Sequence, residues 1–282
     1  MRRTLLAIVA FLAVAAFAAA QRVDDGKGHS AQLYPDKDHA QGWARPGGGG
    51  GQNLIDHGGA VIPSAYVVAI FWGPSWASGG SDNGKAIELT NFFSQYGTTP
   101  EYNVITQYRV GLSGLGPTTW FDTTTTPPQN VSDSAIQAEV ARYLARSGAI
   151  VNESTIYEVF LPSTSYASFG TSDSCGGPNL VFCAYHSNFS YQGLDIKYSS
   201  MPYPSCSGCQ WPGFTTAQNF EHFACHETRE AVTDADGTAW YDRRGNEADD
   251  KCAWSPAPFI GTGGFGYQYE WSNSAGGCVK SQ

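Results

Sequence analysis

His226, Glu227 and Glu230 stand in the run Cys225-His226-Glu227-Thr228-Arg229-Glu230-Ala231-Val232-Thr233-Asp234. On a helix, residues four apart share a face, so His226 and Glu230 can offer a nitrogen and an oxygen to one divalent ion. Glu227, one step round the helix, is placed to act as general base on a metal-bound water. Downstream lies Asn246-Glu247-Ala248-Asp249-Asp250. Glu247 can complete a three-ligand open site, and Asp250 can orient His226 from outside the ligand set. One imidazole and two carboxylates give a neutral site with a divalent ion. They form a harder donor set than two histidines and a glutamate, so other divalent metals compete with Zn2+. An HExxE run also occurs as solvated charge on surface helices. Phe220, Phe223 and Val232, available for packing, and the later acidic cluster raise it above that reading.

Other chemistry-bearing residues are weaker. His222 reads as a solvated or capping histidine. His186 ends a strand beside a cysteine and is either a group that enters the site or a satisfied core histidine. His57, before two glycines, reads as structural. No Gly-x-Ser-x-Gly occurs, which excludes a nucleophile elbow. Cys225 has no separate base, so a cysteine nucleophile is a poor reading.

The elements that must position these groups follow from pattern. Thr215 or Thr216 caps a helix running to about Val232, which carries the motif. Val61 to Trp72 is apolar and β-branched and stops at Gly73-Pro74, a buried strand. Asn83 to Tyr96 has helical spacing, and Val104 to Val110 reads as the second strand of a βαβ unit. Gly111 to Val131 reads as a surface loop. Ser132 to Arg146 is amphipathic, with Ser134 and Gln137 as a capping box. Ile156 to Leu161, Val181 to Tyr185 and Ile196 to Tyr198 are strands. The expected fold is mixed α/β (α+β), a mixed sheet with flanking helices, rich in loops.

Arg2-Arg3, the apolar run Leu5–Phe17 and Ala18-Ala19-Ala20 form the pattern of a cleaved secretory signal peptide, residues 1–20. Residues 21–56 are polar, lack periodicity and hold five glycines at 47–51, which suggests a flexible linker or short pro-segment. Residues 57–282 fit a single domain. The net charge of −9 argues against nucleic acid and anionic membranes as partners. Seven cysteines in an exported chain read as bridges. Pairing in sequence order gives Cys175–Cys183, Cys206–Cys209 and Cys252–Cys278 and leaves Cys225 free, although order alone does not fix connectivity. The single CxxC is short of a zinc ribbon.

Two resemblances add to this. His226-Glu227-x-x-x-Ala231-Val232-Thr233-Asp234, with Asn246-Glu247 after it, resembles the active-site helix and third-ligand segment of thermolysin-type gluzincin metallopeptidases. Those enzymes have a second histidine where this chain has Glu230, and a longer interval to the third ligand. The wider chain resembles the EXORDIUM-like (phosphate-induced) proteins, in their bacterial HExxE-containing branch. The match runs through His57-Gly58-Gly59, Ile70-Phe71-Trp72-Gly73, Phe182-Cys183-Ala184-Tyr185-His186, Cys206-x-x-Cys209-x-Trp211, Glu247-x-x-Asp250-x-Cys252 and Glu270-Trp271-Ser272-Asn273. The first resemblance implies a zincin-like active-site helix, a zinc endopeptidase and an extracellular polypeptide substrate. The second implies secretion, and its plant members imply the alternative of a non-catalytic binder of cell-wall or matrix glycans.

Overall fold

A computed structural model describes residues 22–43, 52–110 and 115–282. Residues 1–20, expected to be a signal peptide, and the glycine run lie outside the described residues. The architecture is a mixed α/β layer built on one seven-stranded sheet. Its strands are β1 (Arg22–Asp24), β2 (Ser30–Pro35), β3 (Ala65–Trp72), β4 (Leu115–Asp122), β5 (Thr155–Phe160), β6 (Phe182–Tyr191) and β7 (Leu194–Met201). Across the sheet they run β1-β2-β6-β7-β5-β3-β4. The four from β7 to β4 are parallel, whereas β6, β2 and β1 pair antiparallel.

The central strands are buried on both faces, which is why they read as continuous apolar runs. Val67, Ala69 and Phe71 of β3 join one core with helices α2 (Asn83–Tyr96) and α4 (Thr216–Thr233). Val68, Ile70 and Trp72 point the other way, into a second core under α3 (Asp133–Ser147). The period-2 alternation of the strand therefore divides the protein into three layers.

Several elements differ from the sequence expectation. The strand expected over Val104–Val110 is a 3-10 turn at Tyr102–Gln107, closed by the Tyr108 N–H on the Ile105 carbonyl. The βαβ unit exists, but its second strand is β4, inside the segment expected to be a loop. Polar threonines, Gly116 and Pro117 hide this edge strand, whose side chains are mostly half-exposed. The cap of α3 is Ser132, which accepts the Ala135 N–H, not Ser134. Gly148 ends that helix at φ 66°, a left-handed position that favours glycine.

The described part of residues 21–56 is not a linker. Strand β2 inserts between β1 and β6, with Leu33 and Tyr34 fully buried, and α1 (Lys37–Trp43) follows it. Residues 55–56 pair with Trp240–Tyr241. Burial of Ala31, Leu33 and Tyr34 supplies the apolar area that the polar composition concealed.

The bridges also cross. Cys175 joins Cys206 and Cys183 joins Cys209, with Cα separations of 5.5 and 5.4 Å, in place of the pairs Cys175–Cys183 and Cys206–Cys209. Cys183 lies in β6, and the turn at Ser207–Cys209 packs over that strand, so spatial neighbours override neighbours in sequence. Cys252–Cys278 forms with Cα atoms 5.9 Å apart. No helix among the described residues is long and apolar enough to cross a membrane.

Candidate metal centre

Helix α4 is held at its start by a capping box. The Thr215 hydroxyl accepts the Gln218 N–H, and the Gln218 side chain accepts the Thr215 N–H. The helix then runs between the sheet and the C-terminal loops, and from Asn219 to Thr233 every residue is buried. A charged motif in such a place is not a solvated surface stripe. Each of its groups must find a partner or lose its charge.

His226 and Glu230 face one way, as their spacing requires. His226 Nε2 lies 3.0 Å from Glu230 Oε2 and 3.6 Å from Asp250 Oδ1. The remaining polar atoms of this trio are tied elsewhere. Glu230 Oε1 accepts the Asp250 N–H at 2.9 Å. Asp250 Oδ2 accepts the Glu247 N–H at 3.0 Å. The Gln268 side-chain amide sits 3.2 Å from His226 Nδ1. Glu230 Oε2 and Asp250 Oδ1 are buried and receive no hydrogen bond. Three donor atoms thus converge within 4.8 Å, a spread that one divalent ion would bridge.

The third residue that converges with His226 and Glu230 is Asp250, where the sequence pointed to Glu247. The 3-10 turn at Asp250–Cys252, closed behind by the Cys252 bridge, aims the aspartate at His226. Glu247 lies to one side, 3.6 Å from His186 Nε2 and against the carboxyl groups of Glu230 and Asp234. Burial and those two carboxyls push its pKa well up, as burial also does for Glu230 and Asp250.

Glu227 reaches the opposite side of the same cluster. Its Oε2 is 2.9 Å from His186 Nδ1, and its Oε1 is buried with no hydrogen-bond partner. Burial, then the neighbouring carboxylates, raises Glu227 well above the usual range. Burial holds His186 down at about 3, so the imidazole is neutral and donates one N–H. His186, Glu227 and Glu230 form a second convergent trio that shares Glu230 with the first.

Arg229 answers the remaining charge. It is fully buried, pairs with Asp249, and lies 3.3 Å from Glu270. The sequence reading passed over it, although a lone arginine inside an HExxE run on a packed helix has to meet buried acids. Thr228 bonds Glu158 on β5, whose carboxyl burial lifts to about 8.

His222 is neither solvated nor a cap. Its ring is buried among Tyr34, Phe214, Phe223 and Trp254, and burial keeps it neutral. His57 stacks on Tyr241 with centroids 3.8 Å apart, away from the site. Cys225 is the free cysteine, buried, with the Tyr96 hydroxyl 3.2 Å from its sulfur.

The cluster is closed. The Tyr34 ring covers His226 at 4.4 Å between centroids. Beside His186 a crevice of about 20 Å³, lined by Arg22, Gln32, Asp234 and Asp236, holds no more than a water. No family model, no curated protein and no solved structure matches this chain.

Proposed function

We propose that this chain is a secreted metal-dependent hydrolase of the zinc endopeptidase type, held closed in the form described here. The reading rests on one observation. In the first trio every other polar atom is tied, and Nε2 of His226, Oε2 of Glu230 and Oδ1 of Asp250 are left facing one point. Two buried carboxyl oxygens without a hydrogen bond, beside an imidazole nitrogen 3.0 Å from one of them, are costly unless a proton or a cation meets them. His226, Glu230 and Asp250 would hold a divalent ion, Zn2+ first by analogy, which would supply Lewis-acid chemistry there. The protein's own part is then plain. Glu227 would take the proton of the attacking water, and its 2.9 Å hydrogen bond with His186 Nδ1 fixes the carboxyl group. The resemblance to gluzincin sequences supports polypeptide as substrate, and the resemblance to EXORDIUM-like sequences supports an extracellular place of action. The three disulfides fit an oxidising compartment.

The closed site favours a second reading, a non-catalytic extracellular protein, such as a binder of cell-wall or matrix glycans, whose metal only braces the fold. The two separate on one pair of measurements. Metal content of the purified chain, with cleavage of unfolded casein, supports the hydrolase. Stoichiometric metal with no cleavage from any form of the chain, open or closed, supports the bracing role. Absence of bound metal overturns the hydrolase and leaves the binding protein, with the HExxE helix as a structural element.

A further inference from the structure

The element that closes the site is the chain's own N-terminal segment. In β2, Gln32 pairs with His186 and Leu33 with Tyr185, so the strand lies along the β6 edge beside the Glu227 partner. Alternate residues divide between the faces. Leu33 packs into the core under α3, while Tyr34 packs against His226, Phe223 and Trp254. The Trp254 indole N–H donates to the Pro35 carbonyl at 2.8 Å. At the other end, Arg22 bonds the Gly237 carbonyl over the crevice beside His186.

This segment is bound differently from the rest of the sheet. All three bridges lie between Cys175 and Cys278, so none anchors residues 22–43. Its covalent link to the body is the peptide chain through residues 44–51, whose sequence ends in five glycines. Everything else is a strand ladder, a few hydrogen bonds and packed side chains. Those are the contacts that an extended polypeptide makes when it adds to a sheet edge.

We infer that residues 22–43 are an inhibitory segment filling, as a strand, the β6 edge where an extended polypeptide substrate pairs. Its departure opens the metal centre. This rests on the hydrolase reading and names both the substrate form and the control of that site. One cut within residues 44–51 leaves the segment held by non-covalent contacts alone. Its loss uncovers His226 and frees the backbone groups of β6 from Phe182 to His186 that β2 now pairs.

The test places a site-specific protease sequence over residues 47–51 of the full chain, so that folding and metal loading precede the cut. Metal content before cutting decides the metal reading by itself. After the cut, the fragment should leave on native size exclusion, and chelator extraction of the metal should quicken. If the covered site is open in fewer than about a tenth of molecules, casein hydrolysis should rise about tenfold or more. A synthetic peptide of residues 22–43 should reverse both changes. Tyr34→Ala in the uncut chain should quicken chelator extraction on its own. A fragment that stays bound while the body remains folded overturns the inference, as does one that leaves with neither rate altered. Faster extraction without hydrolysis supports the cover and sinks the hydrolase reading.

Discussion

His186 Nδ1 stands 2.9 Å from Glu227 Oε2, joining the antiparallel strand β6 to helix α4 across the face of the sheet. The contact ties a residue of the motif to one 41 positions earlier. It gives Glu227 a fixed orientation without making it a ligand of the His226 trio.

Glu227→Gln should therefore keep the metal and lose hydrolysis. The amide still accepts the His186 N–H but takes no proton. A fall in kcat of about 10²–10⁴-fold is expected in the opened chain, with metal content unchanged by mass spectrometry. Metal loss in this variant would make Glu227 a ligand.

Asp250 and Glu247 should behave differently. Losing an outer partner of a ligand costs about 10–100-fold in metal affinity, and losing a ligand costs more. Asp250→Asn should exceed that range, and Glu247→Gln should fall within or below it, in competition titrations with a chelator. The reverse order would restore Glu247 to the ligand set.

Arg229 is sealed between Asp249 and Glu270, so Arg229→Met leaves two buried acids without a cation. The chain should lose about 3–5 kcal/mol in urea unfolding. Asp249 is already lifted, to about 7, chiefly by burial, and would rise further without the guanidinium.

His29 gives the N-terminal segment a pH dependence. A hydrogen bond to Asp133 is the main cause that raises its pKa to about 9; the Asn188 carbonyl and Asp25 add to it and burial opposes it. Because the folded value lies above the unfolded one of about 6.5, the stabilisation is complete below that pH. It is lost as pH rises through about 9. The protection of amides 30–35 against exchange, corrected for the intrinsic rise of exchange with pH, should fall over that window in the wild type and stay level in His29→Gln. A flat wild-type profile would remove His29 as an anchor.

Disulfide mapping after digestion should return Cys175–Cys206 and Cys183–Cys209. Removing the second pair as a double alanine variant should cost about 3 kcal/mol, from its 26-residue separation.

Helices α2, α3 and α4 were legible because their signals are local, whereas α1 was hidden in the segment read as a linker or pro-segment. Leu89, Phe92 and Phe93 of α2 recur at helical spacing, and Thr215 with Gln218 marks the start of α4 within four residues. The βαβ unit was legible as a kind, but not in its second strand. Pro117 and the threonines of β4 read as turn chemistry, and only pairing with β3 overrides that. Strand β2 escaped for a related reason. Leu33 and Tyr34 are too few to announce a strand, and their burial depends on β6, some 150 residues later. His226 and Glu230 were fixed by helical geometry alone. The choice between Glu247 and Asp250 was not, because three residues of a loop can present either carboxylate. The Asp250–Cys252 turn brings the aspartate, rather than Glu247, beside His226.

Cys225 carries a consequence for how the molecule reaches this state. The thiolate attacks disulfides, and burial lifts this thiol to about 11, so at neutral pH the folded chain holds a nucleophile that is switched off. Before α4 packs, the same sulfur competes on equal terms with the other six. Oxidative maturation is then a race between helix burial and bridge closure. Docking of α4 before the bridges close therefore keeps Cys225 out of exchange with the other six sulfurs.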